Sequence, residues 1–108
     1  MIARLWSGTA RPEKADAYVR HLQEKTFPLL TSFPGHRGAY ILRRDAGGRV
    51  VFSVITLWDS VDAIAGFAGG DPEIAVVPQE AKALLMSYDT RAVHWEVVYR
   101  TENPSQHP

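Results

Sequence analysis

The chain has 108 residues, 45% of them hydrophobic and 22% charged, which suits one globular domain. Its 12 basic and 12 acidic side chains cancel, so no basic excess exists to hold a nucleic-acid backbone or an anionic membrane surface. It has no cysteine, which removes disulfides, thiolate metal sites and a cysteine nucleophile.

The opening Met1-Ile2-Ala3-Arg4-Leu5-Trp6 lacks the pattern of a secretory leader, and no apolar run approaches the ~20 residues that span a bilayer. A cytoplasmic location and no membrane partner are expected. Ile2 to Thr9 alternates with a period of two and predicts a first strand. Pro12 suits the first turn of a helix. Ala15, Tyr18, Val19, Leu22 and Thr26 or Phe27 then recur at helical spacing up to about Leu30, with Pro28 expected to end or kink the helix. His21 falls among polar neighbours and is expected in solvent. Phe33-Pro34-Gly35 signals a turn.

Gly38 to Arg44 and Arg49 to Trp58 read as strands joined by Asp45-Ala46-Gly47-Gly48, whose glycines can take positive φ. Asp59-Ser60 offers an N-cap to a helix carrying Ala63, Ile64, Phe67 and Ala68, and Gly69-Gly70 stops it. Asp71 to Pro78 has no dominant period. Gln79 to Met86 reads as a further short helix, and Ala92 to Tyr99 as the last strand. The domain is expected over residues 1–100, with 101–108 a flexible polar tail.

The order strand, helix, strand, strand, helix pair, strand is the split βαβ arrangement. It predicts an α+β, ferredoxin-like βαββαβ sandwich whose antiparallel sheet has helices on one face. The alternation is taken to put Ala3, Leu5, Val51, Ile55, Leu57, Val93, Trp95 and Val97 towards the helices. Ile2, Arg4, Trp6, Phe52, Val54, Thr56, Trp58, His94 and Glu96 would then form the open face. The first and last strands are expected to pair, with Arg4 opposite Glu96 and Trp6 opposite His94. An apolar open face of this size marks an interface or a cavity. It predicts a homodimer closed sheet to sheet, with a pocket for a small molecule between the layers.

Pro34-Gly35 followed by Gly38-Ala39-Tyr40-Ile41-Leu42-Arg43-Arg44 resembles the second-strand entry of the antibiotic biosynthesis monooxygenase family. Phe52-Ser53-Val54-Ile55-Thr56-Leu57-Trp58-Asp59-Ser60, running on to Ala63-Ile64 and Phe67-Ala68, resembles that family's central signature. His94-Trp95-Glu96-Val97-Val98 is similar to its closing strand. The resemblance implies a dimeric α/β barrel. It also implies oxidation of a small aromatic molecule by oxygen without metal or flavin, the bound substrate anion replacing a cofactor. It puts Trp58 at the pocket. Characterised members carry an asparagine four residues earlier; here that residue is Val54, which cannot hydrogen-bond a substrate hydroxyl. Related haem-degrading barrels need a histidine on the helix after the tryptophan, and Val61 to Ala68 has none, which argues against haem degradation.

His94 is the candidate general base, because imidazole titrates near neutral pH. Trp58, Phe52, Val54, Trp6 and Glu96 are the candidate substrate contacts. Against these stand structural roles: indole burial for Trp58, a hydrogen-bonded histidine, an Arg4–Glu96 ion pair, and packing for Tyr40 and Tyr88. His36 lies in a turn and His107 in the tail. No two histidines show ligand spacing on one element, so no metal is expected, and the resemblance implies no cofactor. The resemblance implies a cofactor-independent monooxygenase-like enzyme, with a non-catalytic ligand-binding or stress-related barrel as the alternative.

Overall fold

The computed structural model describes residues 1–102; residues 103–108 of the expected tail lie outside the described residues. The elements in chain order are β1 (Ile2–Ala10), α1 (Pro12–His21), a π-helical turn (Leu22–Thr26), α2 (Phe27–Leu30), β2 (His36–Asp45), β3 (Val50–Trp58), α3 (Val61–Ala68), α4 (Gln79–Lys82), β4 (Ser87–Tyr88) and β5 (Val93–Glu96). The sheet runs β2-β3-β1, and both β4 and β5 pair with the far edge of β1. All its described pairings are antiparallel. The α+β fold and the pairing of first and last strands follow the sequence expectation. Within the single chain the sheet is open.

Pro12 starts α1 behind an extended Arg11. The helix does not end at Pro28. Instead the Phe27 N–H bonds the Leu22 carbonyl, five residues back, and the backbone widens into a π turn before helical geometry resumes at Phe27. Pro28 supplies the reason: it has no N–H for the Glu24 carbonyl, and its ring would strike that carbonyl in a regular helix. α3 begins as its sequence suggests, with the Ser60 hydroxyl accepting from the Ala63 N–H at 3.1 Å. Before β2 the chain turns at Gly35, whose φ of 88° and close approach to Ala63 leave no place for a side chain. The expected helix from Gln79 to Met86 shortens to a single turn.

The faces are the reverse of the sequence expectation. Along β3 the buried residues are Val50, Phe52, Val54, Thr56 and Trp58. These pack against the helices: Phe52 lies 5.0 Å from the Tyr18 ring, and Trp58 stacks on Phe67 of α3 at 5.8 Å. On β1 the helix side holds Ile2, Arg4, Trp6 and Gly8, paired with Trp58, Thr56, Val54 and Phe52. His94 pairs with Arg4 and Glu96 with Ile2, two residues out of the expected register. The physical reason is volume. Both alternating sets of β3 are apolar, but the set with Phe52 and Trp58 is the larger, and it gains most where helices seal it from water. Gly8 completes the fit, since a Cβ there would lie 2.9 Å from the Trp6 indole.

The bare face is apolar nonetheless. Leu5, Tyr40, Leu42, Ile55, Val93 and Trp95 share it, and Trp95 is 60% exposed. The expectation that the sheet leaves an apolar side uncovered therefore holds, with a different set of residues.

Candidate functional site

A partly enclosed cavity of about 70 Å³ lies within the chain, between the sheet and the long helix, and not on the bare face. Arg4 and Trp6 of β1 and Val54 and Thr56 of β3 form its floor. Its opposite wall is the π turn and its flanks, which present Tyr18, His21, Leu22, Thr26, Phe27 and Leu30. Phe67 and residues 76–78 close the sides. A π turn adds a residue to a helical circuit and so brings extra side chains onto one face, and such turns recur at functional sites. Here it sets His21 and Leu22 at one end and Thr26 and Phe27 at the other against the same space.

The polar groups are few and placed. Arg4 is 5% exposed. Its Nη1 donates to the Pro72 carbonyl at 3.2 Å and its Nη2 to the Ile74 carbonyl at 2.7 Å. The guanidinium lies 5.8 Å from the Phe67 ring centre. Burial lowers its pKa from the ordinary value, yet an arginine stays charged at neutral pH. His21 is 8% exposed, its Nδ1 lies 3.7 Å from Glu80 Oε2, and its Nε2 is buried without a hydrogen-bond partner. Burial raises the Tyr18 phenol far above its ordinary range and keeps it neutral. Thr56 Oγ1 accepts from the Trp58 indole at 2.9 Å, which leaves the hydroxyl proton free to donate. The Trp6 indole donates to the Asp89 carbonyl at 2.7 Å and is thereby fixed in place.

Among the sequence-derived candidates, Trp6 and Val54 line the cavity. Phe52 and Trp58 share their face but are core residues at 0% exposure, Trp58 also meeting the His36 ring edge at 5.1 Å. Glu96 is exposed at the end of β5, and the expected ion pair with Arg4 does not form among the described contacts. His94 stands across the strand from Arg4, outside the cavity lining. Its Nε2 is buried without a partner. Burial and then the charge of Arg4 lower its pKa, while Glu73, the Pro72 carbonyl and Asp71 act in the opposite direction. Tyr40 lies exposed on the bare face, and Tyr88 is half-buried on β4.

Sequence reasoning missed His21, Arg4, Tyr18 and Phe67 as cavity residues. For His21 a signal existed: it follows Tyr18 by three positions and so shares the buried stripe of the helix.

The fold and this cavity together define a ferredoxin-like domain that shelters a small apolar site beneath a bulged helix. Residues 1–72 match the family model of antibiotic biosynthesis monooxygenases, two thirds of the chain, and the chain belongs to that family. A search of curated protein sequences returns no match. Solved structures share the fold. A Bacillus cereus protein classed with the antibiotic biosynthesis monooxygenases superposes with a TM-score of 0.69 at 13% identity, over 95% of this chain and 96% of that one. The heme-degrader MhuD from Mycobacterium tuberculosis, solved with two hemes in its active site, gives 0.59 at 18% identity over 94% and 100% of the two chains. A Chloroflexus aurantiacus protein classed with the same monooxygenases gives 0.59 at 17% identity over 94% and 96%.

Proposed function

We propose that this chain is a cofactor-independent monooxygenase-like protein that takes a small aromatic molecule into the cavity beneath the π turn. The observation that carries the reading is the cavity itself: apolar walls around a buried imidazole whose Nε2 has no partner. A phenol seated there gives its proton to His21 Nε2. The aromatic anion then reduces molecular oxygen, and the sum is phenol plus oxygen to quinone plus water. His21 thus takes the role of base that sequence reasoning gave to His94, because His21 and not His94 borders the cavity. His94 stands behind Arg4 as a positioning residue. The test is oxygen uptake with small monocyclic phenols. His21→Ala lowers the rate about a hundredfold or more, as loss of a general base does, while His94→Ala lowers it less. No oxygen uptake with any phenol that binds removes the monooxygenase reading.

Val54 favours a second reading, binding without turnover. Valine offers no hydrogen bond to a substrate hydroxyl or to a peroxide, where the resemblance leads to an asparagine. Ligand binding with no oxygen consumption identifies this case.

The bare apolar face supports a homodimer joined sheet to sheet. In such a dimer each chain keeps its own cavity under its own helices, and the barrel interior between the sheets is a packed interface.

A further inference from the structure

We propose that Arg4 selects a carboxylate-bearing aromatic ligand, so that the substrate of the cavity is an organic anion before any chemistry begins. This rests on the reading of the cavity as the ligand site and adds the substrate's charge to it. Arg4 is only 5% exposed, and it lines a mostly apolar space. Among the described residues no aspartate or glutamate pairs with it, although five arginine–carboxylate pairs form elsewhere among them. A buried cation without a counter-ion is costly, because desolvation is offset only in part by neutral acceptors. Two of its five N–H groups are used on the Pro72 and Ile74 carbonyls. Those two bonds and the Phe67 ring hold the guanidinium still without neutralising it.

The rest of the lining agrees in sign. It contains no acidic residue, and it adds donors: the free hydroxyl proton of Thr56, the hydroxyl of Thr26 and the neutral phenol of Tyr18. A planar guanidinium with N–H groups to spare matches a carboxylate in shape and charge. An aromatic ring attached to that carboxylate extends over Trp6, Val54 and Phe27. An uncharged ligand of the same shape leaves Arg4 with its charge unmet. A purely structural Arg4, there only to strap the loop at residues 72–74, would show no preference between the two.

The probes are benzoate and its uncharged isostere benzamide, titrated into the full chain by calorimetry. Wild type is expected to bind benzoate roughly tenfold or more tightly than benzamide, the margin of a charge-assisted hydrogen bond. Arg4→Met is expected to bring benzoate down to the benzamide level with benzamide little changed, and Arg4→Lys to keep part of the preference. Equal binding of the two probes by wild type overturns the proposal without any variant, and it leaves the cavity reading standing. Failure of both probes to bind overturns both. Should Arg4→Met not fold, the wild-type comparison and Arg4→Lys decide.

Discussion

Trp58 tests the orientation of the sheet most sharply. It is 0% exposed, stacks on Phe67 at 5.8 Å with 22° between the rings, and donates to Thr56 Oγ1 at 2.9 Å. Truncation to alanine removes the whole indole from a site that α3 and His36 cannot collapse to fill. Such losses cost about 3–5 kcal/mol. For a domain near this size, each 1 kcal/mol shifts the melting temperature by roughly 4–8 °C, so the fall is on the order of 12–40 °C. Trp58→Phe retains most of the stacked area and loses the hydrogen bond, and is expected to cost about 1–3 kcal/mol. The assay is thermal unfolding by circular dichroism, repeated across about a hundredfold range of protein concentration. A core residue lowers the midpoint by the same amount throughout, whereas a residue at a self-association face does so in a concentration-dependent way. A loss under about 5 °C for Trp58→Ala, or one that varies with concentration, would refute the placement of Trp58 under the helices.

Three further outcomes follow from the same geometry. Trp95→Asp puts a charge on the bare face at a residue that is 60% exposed in the single chain, so sedimentation equilibrium should show monomers with unchanged far-ultraviolet dichroism. Stability should decline on acidification. His36 and His94 have pKa values lowered from the ordinary 6.5, chiefly by burial, so the unfolded chain binds protons that the folded chain resists. Their contribution is complete above about pH 6.5 and is lost as the pH falls through the lowered folded values, which denaturant midpoints at stepped pH would show. Titration with haem should leave the broad Soret band of free haem unchanged, with no shifted or sharpened band from a bound form. The cavity of about 70 Å³ has no room for a macrocycle, and α3 carries no histidine.

The order of elements was legible because strand and helix periods differ and because turns announce themselves at Pro34-Gly35 and Gly47-Gly48. The grouping of residues was legible too: Trp6, Phe52, Val54, Trp58 and His94 do share one side of the sheet. Which side was hidden, since Val51, Ile55 and Leu57 make the other alternation of β3 equally apolar. Only side-chain volume, and the room that Gly8 leaves for Trp6, distinguish the two. The last strand ends at Glu96 and not Tyr99 for a reason outside its own residues. Pairing with β1 ends at Ile2↔Glu96, the Val97 N–H reaches the Met1 carbonyl at 2.9 Å, and among the described residues 98–100 pair with no strand. His21 was obscured by the polar residues around it, although Tyr18, three positions earlier, places it on the buried stripe of the helix. The bulge that frames the cavity was half-legible: Pro28 announces a disturbance, but sequence does not say whether a helix stops there or widens.

The division of labour between the two sheet faces is most directly tested by two-dimensional amide NMR of the intact protein during a benzoate titration. Shift changes are expected at Trp6, His21, Phe27, Val54 and Thr56, around the cavity under the helix. A cluster of changes at Leu5, Tyr40, Leu42 and Trp95 instead would put the ligand against the uncovered face and contradict the account.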